Sequence, residues 1–294
     1  MPEPWQHFFT SHGLRLSYWA WGDEGKPPLV LVHGTRDHAR TWDRVAEALR
    51  DDYRVLALDL RGHGDSEHVR GGYYGLLDYA ADVLALIEVA GGRATVVGHS
   101  LGGGIVMLAA GAFPERFERL VSVEGVNARV DEPSAEQVSP EWVHDWAARA
   151  RGLEGREPRV YPTFASVVER VHEANRRLSP EMAEHLARWA ARSVDGGYVW
   201  KYDPWLYART PTEVRRPELP AFWARITCPV LHVVGEVSPM GRDRFEGRPA
   251  EAYFPDARLV RVPDAGHYVH HDNLEGFDAA LLAFLGASPA IPRD

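Results

Sequence analysis

The chain has 294 residues, 45% of them hydrophobic, and a net charge of −9, which suits one large domain or a core with an inserted lobe. With no basic stripe the balance argues against nucleic acid as a partner, and no run of about 18 apolar residues is present to cross a membrane. The single cysteine, Cys228, excludes an internal disulfide, and residues Met1–Trp5 lack the basic start of a signal peptide; both predict a cytoplasmic chain.

In chain order, Leu14–Trp21 alternates and predicts an opening antiparallel strand, closed by Gly22-Asp23-Glu24-Gly25. Pro28–Val32 is an apolar run that predicts a central strand entering a loop at His33-Gly34. Thr41–Leu49 predicts a helix with Trp42, Val45, Ala46 and Leu49 on one face. A buried strand over Tyr53–Leu60, a helix over Leu76–Val89 and a strand over Ala94–Val97 follow. Helical spacing then begins at Leu101, and Leu120–Val123 is the next strand, ended by Glu124-Gly125. From Val126 to about Pro220 the alternation stops. Ser139-Pro140 and Ser179-Pro180 each open a helix there, with a capping serine and a proline in the first turn, in a block rich in Trp and Tyr. Val230–Val234, Arg258–Val262 and a closing helix over Phe277–Leu285 resume the pattern. The order predicts an α/β protein: a mostly parallel sheet with helices on both faces and a mostly helical lid, its ligands bound beyond the carboxyl ends of the strands.

Gly98-His99-Ser100-Leu101-Gly102 sits at the corner between a strand and a helix. A turn this sharp lifts Ser100 above the sheet edge and brings backbone too close for side chains, so glycine on both sides is a steric requirement. The helix start beside the hydroxyl favours a developing negative charge.

Together with His33-Gly34 and Gly266-His267, this motif resembles the α/β-hydrolase family over nearly the whole chain. The resemblance implies an eight-stranded, mostly parallel sheet, with residues 1–126 and 221–294 as core and 127–220 as cap. It implies Ser100 as nucleophile, His267 as base and an acid, with the backbone N–H groups of Leu101 and Thr35 as oxyanion donors. Most members carry the acid as Asp in a Gly-x-x-Asp turn; here that turn is Gly235-Glu236-Val237-Ser238, and serine stands at the acid position. Glu124, 24 residues beyond Ser100, matches the branch that includes zearalenone lactonases, where the acid follows the sixth strand. Glu236 and Asp243 remain alternatives.

Arg36, Trp189 and His99 are the candidate substrate-binding residues, although the side chain of His99 is expected to point away from the hydroxyl. Asp59 and Asp65 are expected to organise a loop, and His270-His271-Asp272 to be an exposed helix start. No cofactor or metal is expected. The leading expectation is hydrolysis of a small-molecule carboxylic ester or lactone with a bulky apolar or aromatic group, through an acyl-enzyme. A carbon–carbon bond hydrolase, an acyltransferase and a low-turnover ligand-binding or signalling protein stay open, as does a homodimer.

Overall fold

The computed structural model describes residues 4–125, 139–208, 214, 218–239, 254 and 256–286. The chain begins with β1 (Trp5–Ser11), β2 (Leu14–Trp21), β3 (Pro28–Val32), α1 (Asp43–Leu49), β4 (Arg54–Leu58) and α2 (Leu76–Val89). It continues through β5 (Ala94–His99), α3 (Leu101–Ala112) and β6 (Phe117–Val123). A block of α4 (Pro140–Leu153), α5 (Phe164–Ala174), α6 (Pro180–Ala190), β7 (Ala191–Val194) and β8 (Gly197–Trp200) follows. The described chain closes with α7 (Leu219–Trp223), β9 (Val230–Gly235), β10 (Ala257–Val262), α8 (Val269–Asp272) and α9 (Leu274–Leu285).

Eight strands form one sheet in the order β1-β2-β4-β3-β5-β6-β9-β10. The pairs β1–β2 and β2–β4 are antiparallel and the remaining ladders parallel. The expected α/β-hydrolase architecture is present. Its central strands are apolar throughout because both faces are covered, and side chains alternate between two cores. Val30, Val32, Leu56 and Leu58 face the core shared with α2 and α3, while Leu29, Leu31, Val55 and Ala57 face the one shared with α1 and α9. The strand that the chain-order reading does not name is β1. It is an edge strand with only Ser11 buried, so its sequence shows no alternation of apolar and polar residues.

The block after β6 is mostly helical, and both caps form as expected. The Ser139 Oγ accepts from the Trp142 N–H at 3.1 Å and the Ser179 Oγ from the Met182 N–H at 3.2 Å. It also contains a two-stranded hairpin, β7–β8, turning at Asp195-Gly196. The hairpin is half-exposed, and a short strand without a buried face leaves little trace in an apolar pattern. The block sits on loops that follow core strands. His38 Nε2 donates to the Leu186 carbonyl at 3.0 Å, the Tyr74 hydroxyl to Asp203 at 2.5 Å, and Asn175 Nδ2 to Asp272 at 2.9 Å. The first cap boundary, between residues 126 and 127, falls outside the described residues.

The loop after β4 is tied both within itself and to neighbouring segments. Asp59 accepts from the Ala39 N–H at 2.7 Å and the Asp65 N–H at 3.1 Å, while Asp65 accepts from Lys201 at 2.7 Å, so both carboxylates organise the loop as expected. Arg61 makes a two-pronged bond to Asp82 at 2.6 and 2.7 Å, and the Asp82 side chain is fully buried. Arg61→Met leaves that carboxylate without its main partner, so the unfolding free energy is expected to fall by about 3–5 kcal/mol. Urea denaturation followed by tryptophan fluorescence measures it; a loss under about 1 kcal/mol means that the pair does not hold the loop.

Candidate active site

Ser100 stands between β5 and α3 with φ of 51°, a left-handed backbone that a side-chain-bearing residue adopts only where surrounding bonds enforce it. Here the Ser100 N–H donates to the Val123 carbonyl at 2.8 Å and the Gly104 N–H donates to the Ser100 carbonyl at 3.1 Å. The flanking glycines are required by space. A methyl group on Gly98 would lie 2.5 Å from the Gly102 carbonyl oxygen, and one on Gly102 2.5 Å from that of Val32.

The Ser100 hydroxyl donates to His267 Nε2 at 3.0 Å. The other ring nitrogen, Nδ1, donates to Glu124 Oε2 at 3.3 Å. Glu124 is 2% exposed and has φ of 53°, which turns its side chain out of the strand direction at the end of β6. Its carboxylate also accepts from the Gly235 N–H at 2.8 Å and the Ser238 hydroxyl at 2.9 Å. The serine at the usual acid position therefore donates to the carboxylate that faces the imidazole. Its residue type signalled a missing acid in the sequence, but nothing there showed which carboxylate it would serve. Glu236, the other described alternative, is exposed and its backbone N–H donates to Val262, while Asp243 lies outside the described residues.

The loop carrying His267 is held from two sides. Asp272 accepts from the Gly266 N–H at 2.8 Å and from Asn175 of the block, and Arg177 of the block pairs with Asp264. Nothing in the sequence assigns Asn175, Arg177 or Asp264 a role here; the pairs Asn175–Asp272 and Arg177–Asp264 span 97 and 87 positions, which no local pattern records.

Thr35 follows His33-Gly34 at the end of β3. His33 is fully buried, donates from Nδ1 to the Gly34 carbonyl at 2.7 Å and accepts at Nε2 from the Leu60 N–H at 3.1 Å, and burial holds its pKa far below the usual histidine range. This neutral ring fixes the loop so closely against the elbow that a methyl group on Gly34 would lie 3.2 Å from the Ser100 Cβ. Among the described residues the Thr35 N–H has no protein acceptor. Leu101 begins α3, so its N–H is one of the first-turn donors that a helix leaves unsatisfied.

A cavity of about 350 Å³ opens from Thr35 beneath the block, within the range of small-molecule sites. One wall is aromatic, with Tyr161, Trp200, Tyr202 and Tyr207, and another aliphatic, with Val171, Leu178 and Leu186. Arg36 lines it and donates to the Tyr207 hydroxyl at 2.9 Å. Of the three expected substrate residues, Trp189 and His99 do not line this cavity. Trp189 faces away from the cavity, packed edge-on against Trp19 at 5.1 Å with Arg40 over its ring at 4.0 Å. His99 is 1% exposed and donates from Nε2 to the His267 carbonyl at 2.9 Å, so it shapes the histidine loop and has no surface for a ligand. His270-His271-Asp272, expected to be an exposed helix start, is buried or half-buried. His270 is 1% exposed, stacked on Trp42 at 4.4 Å, and its pKa is lowered by burial.

The profile of the alpha/beta hydrolase family matches residues 29–280, and the chain belongs to that family. A serine hydrolase-like protein of Danio rerio is 30% identical over 292 residues, with 97% of this chain and 87% of the relative covered. A 2-(acetamidomethylene)succinate hydrolase of Mesorhizobium japonicum is 28% identical, with 90% of each chain covered. The structure is similar in fold to the thioesterase domain from the curacin biosynthetic pathway, with a TM-score of 0.81, 22% identity, and 97% and 100% of the two chains covered. Among the described residues no helix is long and apolar enough to cross a membrane.

Proposed function

We propose that the protein is a serine hydrolase that cleaves a carboxylic ester or lactone through an acyl-enzyme on Ser100. The observation that carries the reading is the continuous chain of hydrogen bonds from Ser100 through His267 to Glu124. A serine hydroxyl is a weak nucleophile until a base takes its proton, and an imidazole titrates in the range where it can do so and return it. Ser100 Oγ attacks the carbonyl carbon while His267 Nε2 accepts its proton, and Glu124 stabilises the imidazolium and holds the ring with Nε2 towards the serine. The N–H groups of Thr35 and Leu101 meet the developing oxyanion. Collapse breaks the bond to the alcohol, which takes the proton from His267 as it leaves. Water then gives a proton to the same nitrogen, attacks the acyl-serine and releases the acid, and the proton returns to Ser100 Oγ.

In this reading residues 127–220 act as a cap, and the wall of Trp200, Tyr202 and Tyr207 receives a bulky apolar or aromatic part of the substrate. The test is labelling by a fluorophosphonate probe together with turnover of a panel of p-nitrophenyl esters and aryl lactones. Rapid labelling at Ser100 with hydrolysis of at least one panel compound is expected. A protein that binds the panel compounds but leaves Ser100 unlabelled would instead be a ligand-binding member of the family.

A further inference from the structure

The solvent-facing side of the cavity carries an exposed cation, Arg36, for which the hydrolytic steps have no use. Arg36 follows Thr35 directly, and its φ of 61° is left-handed, a strained conformation for a residue with a side chain. The turn is closed by the Asp37 N–H donating to the Gly34 carbonyl at 3.4 Å. The guanidinium lines the cavity, lies 5.6 Å from the centre of the Tyr207 ring and gives one of its five N–H groups to the Tyr207 hydroxyl. Among the described residues no carboxylate pairs with it. The remaining N–H groups form a planar fork of the kind that fits a carboxylate.

Apart from Tyr207, none of the titratable groups around the cavity is within pairing distance of this guanidinium among the described residues. Asp37 is the one carboxylate among the described lining residues; it accepts from the His38 N–H at 2.9 Å, does not pair with Arg36, and burial pushes its pKa up to about 7. His38 and His271 are held down at about 3 by burial and stay neutral, and Tyr202 is raised to about 12 by burial. Arg170, the second cation of the lining, is already paired with Glu173.

We infer that Arg36 binds a carboxylate of the substrate, so that the compound hydrolysed is an anionic ester or lactone with its charged end in the cavity and its scissile carbonyl at Ser100. The reaction named here rests on the hydrolase reading above; the anion site does not. The aromatic wall would then hold the part of the molecule between the two ends.

The probes are p-nitrophenyl hydrogen adipate and its methyl ester, which differ in the charge at the far end. Wild-type protein is expected to favour the charged ester in kcat/KM by about tenfold or more, the size of a charge-assisted hydrogen bond. Arg36→Met is expected to bring that ratio to about twofold or less, and Arg36→Lys, which keeps the charge and loses the fork, to an intermediate value. Arg188→Met, outside the cavity and paired with Glu184, is expected to keep the wild-type ratio. A wild-type ratio near or below one, or a ratio that survives Arg36→Met, overturns the assignment. Adipate itself gives a readout free of catalysis: it should raise the Tm of the wild type and not of Arg36→Met. If Ser100 takes no fluorophosphonate and neither ester turns over, the hydrolase reading falls. An Arg36-dependent Tm shift would then still uphold the anion site, and its absence would remove it.

Discussion

Ser100→Ala is expected to lower kcat on the best ester of the panel by about a millionfold, the loss that follows removal of the nucleophile from a triad acting as a unit. The reason is that no acyl-enzyme can form. His267 and Glu124 then have nothing to activate, and the Thr35 and Leu101 N–H groups alone can still polarise a bound carbonyl. A residual rate about a thousandfold above the uncatalysed reaction is expected from those donors and from binding. The fold should suffer little, because among the described residues the lost hydroxyl of the half-buried Ser100 bonds only to His267, a loss of about 1 kcal/mol at most. Steady-state kinetics with urea unfolding of the same preparation decides the matter. Activity within tenfold of the wild type, at unchanged stability, would remove Ser100 from the chemistry.

Glu124→Gln is the second large effect, with kcat lower by about ten thousandfold. The mechanism can be read from the hydrogen bonds. Glu124 Oε1 accepts from the Gly235 N–H, so a glutamine there must keep its carbonyl oxygen on that side. Its NH2 group then faces Ser238 and His267 Nδ1, both of which donate to the present carboxylate. The ring can satisfy an NH2 donor only by moving its proton from Nδ1 to Nε2, and a protonated Nε2 cannot accept from Ser100. The negative charge that would stabilise the imidazolium is lost as well. Glu236→Gln, on the exposed side of the turn, should change kcat by about twofold at most. Ser238→Ala falls between them at roughly tenfold, since it removes one donor to the carboxylate and leaves the charge in place. Measured kcat values in the opposite order, with Glu236→Gln crippled and Glu124→Gln near wild type, would move the acid to the neighbouring turn.

If Glu124 is the acid, as proposed, its pairing with Ser238 accounts for an acid outside the usual turn. Both positions lie beyond the ends of adjacent strands, β6 and β9, which pair in register from Leu120↔Val230 to Val123↔Val233. A carboxylate on either strand end can reach the same ring nitrogen, because only its position and charge matter to the imidazole. The other strand end must then supply a donor in place of a second carboxylate, since two like charges buried side by side would repel and raise one another's pKa. Serine at position 238 meets that condition.

The sequence by itself determined the features encoded between near neighbours. Apolar runs such as Pro28–Val32 and Ala94–Val97 name strands covered on both faces, Ser-Pro pairs name helix starts, and glycines at 98 and 102 name a corner where a side chain would strike backbone. Placing Ser100 and His267 beyond strand ends needed only that order. What the tertiary structure decided is whatever depends on segments far apart in the chain. His267 and Glu124 are 143 positions apart, and which carboxylate reaches the ring follows from strand order, register and the left-handed turn at Glu124. Burial is decided the same way. His99, His270 and Trp189 carry side chains equally suited to a pocket or a core, and only the segments packed over them fix which they serve. The edge strand β1 and the hairpin β7–β8 escape a periodicity reading for the same reason: neither has a continuously buried face, and alternation records burial rather than hydrogen bonding.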